Sequence, residues 1–314
     1  MSLDADTLTD RRRLKRRLFF WRAGAVLALA VALIALMSER GWPGRSHIAR
    51  VEIGGIVVDD RLRHEMLDKI AKDPSVKAVI LAIDSPGGTT TGAEALYESI
   101  RHVAAEKPVV AVLGTVAASG GYIVAMSADR IVARGNTITG SIGVIFQWAQ
   151  LEELLKHIGV EMREVKSAPL KAEPNPFHRP SPEALQVTKD LVDSSYDWFL
   201  HLVMERRGMD EAMARRLGDG RVFTGWQAVE NGLVDEIGSE EQAIAWLAEE
   251  YELDARLPVQ TWEPAYPGLG FVGFAGRMLG ETIIVAGEVV AGKTLQTKRL
   301  TLDGLTSVWQ PDRQ

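Results

Sequence analysis

The chain has 314 residues, no cysteine and a formal net charge of −6. The length allows one large domain or two small ones, and the missing cysteine excludes a thiol nucleophile and thiolate metal ligands. The charge is divided, with a net +4 on residues 1–22 and −10 on the rest, and an acidic main body gives no reason to expect nucleic-acid binding.

Arg11-Arg12-Arg13 and Lys15-Arg16-Arg17 stand directly before an apolar run from Leu18 to Met37 that holds one charge, Arg22. A run of that length spans a bilayer core. Arg22 lies near one end, where its stem can snorkel. Trp21 and Trp42 bracket the run as interfacial anchors do, and the positive-inside rule puts residues 1–17 in the cytoplasm and the chain after 38 outside it. Ala30-Val31-Ala32 resembles a signal-peptide cleavage site, but five more apolar residues follow it, which favours an uncleaved anchor. The predicted organisation is therefore a basic tail (1–17), a transmembrane signal anchor (18–37), a linker (38–46), a main domain (47–251) and a C-terminal extension (252–314).

Within the main domain, 47–58 reads as a first strand pair with Gly54-Gly55 as a turn or bulge. Residues 60–72 fit a helix with Leu62, Met66, Leu67 and Ile70 on one face. The continuous apolar run 76–83 predicts a strand buried on both faces, ended by Ser85-Pro86-Gly87-Gly88. A helix over 93–105, a strand over 108–113, a helix opening after Ser119 and a strand over 129–133 follow. Strand alternating with helix predicts a parallel α/β sheet with helices packed outside. Residues 136–144 read as turn plus strand, 151–157 as a helix, 160–165 as a strand and 166–182 as a proline-rich loop. Helices are predicted over 183–207, 210–217 and 239–251, with helix and turn over 222–238. Residues 268–292 read as strands or an oligomer contact.

Two turns, Ser85–Gly88 and Ser119, lie at strand C-termini, where such sheets bind ligands. In Ala117-Ala118-Ser119-Gly120-Gly121 the serine is flanked by residues too small to cover it, at a helix N-terminus with unpaired N–H groups. That suits a nucleophile with an oxyanion site; a plain N-cap is the competing reading. Gly87 and Gly88, with the N–H of Gly120, would form the oxyanion hole. The same glycines also suit a type II turn. No histidine completes a triad: His64, His102, His157 and His201 fall in predicted helices, and only His178 stays open. Lysine is the alternative base if desolvation lowers its pKa. Lys171, in Ser167-Ala168-Pro169-Leu170-Lys171-Ala172, has the apolar context for this, although a solvated loop lysine has the same look. Lys166 is expected to be salt-bridged to Glu164. No metal-ligand spacing and no phosphate loop is present, so neither metal nor cofactor is expected.

Ile83-Asp84-Ser85-Pro86-Gly87-Gly88, Ala118-Ser119-Gly120-Gly121-Tyr122, Thr139-Gly140-Ser141-Ile142-Gly143-Val144 and Gly220-Arg221-Val222-Phe223-Thr224-Gly225 occur in that order. Together they resemble the signal peptide peptidase A family, in its short bacterial form, over roughly residues 50–245. The resemblance implies a Clp protease/crotonase-like fold, a repeated β-β-α superhelix with outer helices. It implies a Ser/Lys dyad with Ser119 as nucleophile, Lys171 as base, Ser141 as the serine that hydrogen-bonds the lysine amine, and Gly88 at the oxyanion. It also implies a ring-shaped homo-oligomer whose neighbours complete each site. The loop departs from the family pattern, which often has Gly before the lysine and Asp just after it. The expected activity is hydrolysis of apolar peptides such as released signal peptides, with Val116, Ile145 and Phe146 lining the site, outside the cytoplasm on the inner membrane. A crotonase-like acyl-thioester enzyme and a non-catalytic scaffold are the alternatives.

Overall fold

The computed structural model describes residues 20–22, 24–26, 46–266 and 305–308. The chain divides into two compact units, Met1–Ser46 and His47–Gln314. In the first, 20–22 and 24–26 are helical. The rest of the predicted anchor, the basic tail and nearly all of the linker lie outside the described residues. No helix among the described residues is long and apolar enough to cross a membrane. The predicted segment 268–292 is also outside them.

The second unit is built on a ten-stranded sheet. Strands β1 (His47–Val57), β2 (Val76–Thr89), β3 (Val109–Ala118), β4 (Arg130–Ala133) and β8 (Glu236–Ile237) lie side by side, all parallel. β9 (Val259–Trp262) adds to the free edge of β1, also parallel. Helices α1 (Arg61–Lys72), α2 (Thr90–Ala104) and α3 (Gly120–Ala125) connect the first strands. The unbroken apolar runs of β2 and β3 follow from cover on both faces. Val79, Leu81, Ile83, Val109, Ala111 and Leu113 face one core with α1, α2, α3 and the long helix α5 (Pro182–Arg207). Ala78, Ile80 and Val110 face another core, closed by Ala243 and Leu247 of α8 (Glu240–Glu250). Burying each larger aliphatic side chain is worth about 1.5–3 kcal/mol.

Helix starts follow their caps: Asp60, Ser181 and Ser239 each accept a bond from a first-turn N–H, the role short polar side chains fill there. Between α3 and α5 lie β5 (Ile138–Gly140), β6 (Ile145–Phe146) and α4 (Glu152–His157). After α5 come α6 (Glu211–Leu217), β7 (Val222–Thr224), antiparallel to β5, and α7 (Gly225–Glu230).

Three expectations are corrected. The predicted first strand pair is one strand, β1, with a register shift between Gly54 and Ile56 and Gly55 at φ 66°. Ser85-Pro86-Gly87-Gly88 does not end β2: the strand runs through it to Thr89, paired with β1. Ser85 makes this possible, its hydroxyl donating to the Gly55 carbonyl at 2.6 Å and accepting the Gly87 N–H at 3.1 Å. The predicted strand 160–165 has no partner and no regular structure, and its residues are exposed.

Candidate active site

The C-termini of β2, β3 and β5 meet at one place. Ser85 pairs with Ala117, and Ala118 pairs with Gly140. Just beyond Ala118, Ser119 turns the chain into α3 with φ 55° and ψ −119°, a conformation that costs a non-glycine residue about 1–3 kcal/mol. The turn is held on all sides: the Ser119 N–H donates to the Gly140 carbonyl at 2.8 Å, and its carbonyl accepts from Tyr122 and Ile123. Ser119 is the N-cap residue of α3, as the competing reading has it, but its side chain makes no capping bond. Tyr122 pins α3 from below by donating to the Leu233 carbonyl at 2.8 Å, and burial pushes its phenol pKa up. A Cβ on Gly121 would sit 2.6 Å from the Ser85 carbonyl. That close approach is what lets the two strand ends share one crevice.

Ser141 follows Gly140 as Ser119 follows Ala118. It is buried, has φ 49°, and its N–H donates to the Arg221 carbonyl at 2.9 Å. Gly88 lies between β1 and the crevice, where a Cβ would come within 1.8 Å of the Val57 carbonyl oxygen. Gly87 sits at φ 113° with its N–H already given to Ser85. Gly120 opens α3, where a first-turn N–H has no helical acceptor. Ser119 with Gly120 and Ser141 thus leave adjoining strand ends, and Gly87 and Gly88 follow Ser85, whose carbonyl Gly121 approaches.

One further element occupies this place. β3 parts from β2 after the Ser85–Ala117 pair, and β10 (Leu305–Val308) takes up the vacated edge. It runs antiparallel, Ser307 opposite Gly88 and Val308 opposite Gly87. Its other edge pairs with β6, Leu305 opposite Phe146 and Thr306 opposite Ile145. Ile145 and Phe146, two of the three expected lining residues, therefore border β10, whose other edge runs along Gly87 and Gly88. Sequence patterns gave no sign of β10.

Lys171 lies exposed on the loop 166–180, and no described residue hydrogen-bonds its ammonium. Lys166 is paired, as expected, with Glu164 at 2.7 Å and also with Glu173. These hydrogen bonds hold its pKa above the usual lysine value, the wrong direction for a base. His178 contacts both carboxylates at 3.1 Å. Its pKa is raised, first by its bond to the Arg179 carbonyl and then by Glu164. The absence of a carboxylate–histidine cluster expected from sequence is thereby corrected: Glu164, Glu173 and His178 bring ligand-type atoms within 4.8 Å of one another. Lys166 already supplies that set with a cation.

A Ser-His-Asp arrangement also went unseen in the sequence. His64 bonds Ser99 at 2.7 Å through Nδ1 and Asp59 at 2.9 Å through Nε2. Ser99 lies inside α2, where the N–H groups around it are spent in the helix. With no donors for an oxyanion, this set ties α1 to α2.

The profile of the family described as Peptidase family S49 matches residues 101–254, and that of Clp protease matches residues 58–138. A putative protease of Synechocystis is 36% identical over 212 residues, covering 66% of this chain and 76% of its own. A putative signal peptide peptidase SppA of Enterococcus faecium is 35% identical over 250 residues, covering 75% and 71%. A putative protease of Methanocaldococcus jannaschii is 32% identical over 235 residues, covering 74% and 75%.

Proposed function

The chain belongs to peptidase family S49 and is a serine protease, and from that premise we propose that Ser119 is its nucleophile and Lys171 its general base. The observation that carries this is the Ser119 backbone: a strained turn at a strand end, φ 55° and ψ −119°, at the head of α3. Strain of that kind presents a serine at the head of a helix.

Neutral Lys171 takes the Ser119 proton as Oγ bonds to the peptide carbonyl carbon. The carbonyl oxygen becomes an oxyanion held by the N–H groups of Gly88 and Gly120. The C–N bond breaks, the amine leaves with the proton carried by Lys171, and water then cleaves the acyl ester in the same way. Ser141 orients the lysine amine. Gly87 shapes the strand, its own N–H being held by Ser85.

A neutral lysine requires a desolvated site, and Lys171 is exposed in the single chain. A second copy of the chain supplies that cover. Leu154, Ile158, Val160, Met162 and Val165 are all exposed on the segment leading to the loop, an apolar tract of the kind that marks an interface. Substrates are extended apolar peptides such as released signal peptides, lying where β10 lies. The apolar run 18–37 anchors the protein in the membrane with residues 1–17 cytoplasmic and the protease domain outside.

The test is cleavage of an apolar fluorogenic peptide by the assembled protein, beside Ser119→Ala and Lys171→Ala. Loss in both supports the dyad. Loss in Ser119→Ala alone moves the base elsewhere, and full activity in Ser119→Ala overturns the reading.

A further inference from the structure

The side chain of Glu173 is only 6% exposed, although it belongs to a loop without regular structure. Its Oε1 receives the Lys166 ammonium, the Asn175 amide at 3.1 Å and the His178 ring at 3.1 Å. Its Oε2 is buried with no partner. Burying a carboxylate costs free energy unless every lone pair is satisfied. This one is half satisfied, so net stabilisation is a poor account of it.

Its place in the loop gives a better one. Glu164 and Lys166 form one leg, and Glu173, Asn175 and His178 form the other. Between them the tip 167–172 carries Lys171. The tip itself is held by two turn bonds, Lys171 N–H to Ala168 and Glu173 N–H to Leu170, at 3.1 and 3.3 Å. Ala172, between Lys171 and Glu173, has φ 60°, a strained value for alanine that something must enforce. The second leg is tied onward to α4: Leu151 donates to the Pro176 carbonyl at 2.7 Å, and the Arg179 N–H donates to Glu152 at 3.2 Å. Glu173 joins the two legs at the neck of the tip through Lys166, and His178 joins them again through Glu164 at 3.1 Å.

We propose that Glu173, gripping Lys166, is a positioning residue that fixes the neck of the loop and so sets where Lys171 is presented. This rests on the reading of Lys171 as the base. The bonds of Glu173 go to Lys166, Asn175 and His178, and in this reading it takes no part in the bond changes. It acts through the placement of an amine, and a misplacement of about 1 Å in a reacting group can cost on the order of 100-fold in rate.

The experiment uses the full chain in its native assembly, with Glu173→Gln, Lys166→Met and Lys166→Arg, each alone and Glu173→Gln also in the Lys171→Ala background. Steady-state kcat and KM are read on an apolar peptide, and residual acylation by an activated ester is read where turnover is too slow. The expected result is a kcat lowered about 10- to 100-fold in Glu173→Gln, with KM within about twofold and the assembly intact. Lys166→Met matches that loss and Lys166→Arg recovers most of it. In the Lys171→Ala background Glu173→Gln has no further effect, because the residue it positions is gone. A Glu173→Gln enzyme within about twofold of wild type overturns the proposal. So does an equal loss in the presence and absence of Lys171, which is the mark of general structural damage. If Glu173→Gln does not fold, the Lys166 pair of variants decides by the same criteria. Full activity in Lys171→Ala, with none in Ser119→Ala, overturns the base assignment and this proposal together. Loss in Lys171→Ala with an unaffected Glu173→Gln overturns this proposal alone.

Discussion

Ser119 and Ser141 leave neighbouring parallel strands at the same level, each one residue past the Ala118–Gly140 pair and each at positive φ, 55° and 49°. Neither is a glycine, so both positions hold a backbone conformation that costs a residue bearing a side chain.

Ser119→Gly is expected to abolish hydrolysis and to stabilise the fold, because glycine takes φ 55°, ψ −119° without penalty. The gain is about 1 kcal/mol, read as a rise in the denaturation midpoint. Ser119→Ala is expected to lose activity by at least about 1,000-fold with no such gain. A Ser119→Gly protein less stable than wild type would remove strain from the account.

Ser141→Ala is expected to lower kcat about 10- to 100-fold while KM stays near its wild-type value. The Ser141 N–H bond to Arg221 is main-chain and survives the change. Unchanged kcat would free the Ser141 hydroxyl from any part in orienting Lys171.

Gly88→Ala and Gly55→Ala separate crowding from conformation. At Gly88 a Cβ meets the Val57 carbonyl at 1.8 Å, whereas at Gly55, φ 66°, nothing lies within 4 Å. Gly88→Ala is expected to cost about 3 kcal/mol or more, or to prevent folding. Gly55→Ala should cost only about 1 kcal/mol. Chemical denaturation of the two variants gives the order directly.

The loop clamp is expected to depend on pH. Folding raises the His178 pKa above its ordinary 6.5. Its contribution is therefore fully present below 6.5 and is lost as pH rises through the raised value. Glu164 has the opposite sense: hydrogen bonding to Lys166, then to His178, lowers its pKa from 4.5. Its contribution is present above 4.5 and lost as pH falls through the lowered value. Amide protection in the loop, corrected for intrinsic exchange, should be highest between these limits and fall as pH rises through the raised His178 value. In His178→Gln the alkaline fall should vanish.

Much of this was legible along the chain. β2 and β3 announced themselves because burial on both faces removes polar residues from the run. Ser119 stood out because small residues crowd a strand-to-helix junction. The end of β2 was misread, since Pro86-Gly87-Gly88 carries turn chemistry; nothing local reveals that the Ser85 hydroxyl will reach Gly55, 30 residues away. Val160, Met162 and Val165 look like a strand because apolar spacing does not say whether the covering partner lies in the same chain. Lys166 with Glu164 could be read at a separation of two residues. Glu173 and His64 with Ser99 could not, because a loop closure and a helix pair bring them together.

β10 makes its contacts with β2 and β6 as a ladder, N–H to carbonyl on both edges. Main-chain groups are the same in every residue but proline, so a slot of this kind is indifferent to most of the letters in what it receives. It demands instead a stretch whose amides are not already spent on a helix or sheet of their own. The main chain thus sorts by conformation, a folded neighbour having nothing to offer it, and in the proposed function any preference for apolar letters falls to Ile145 and Phe146 alongside.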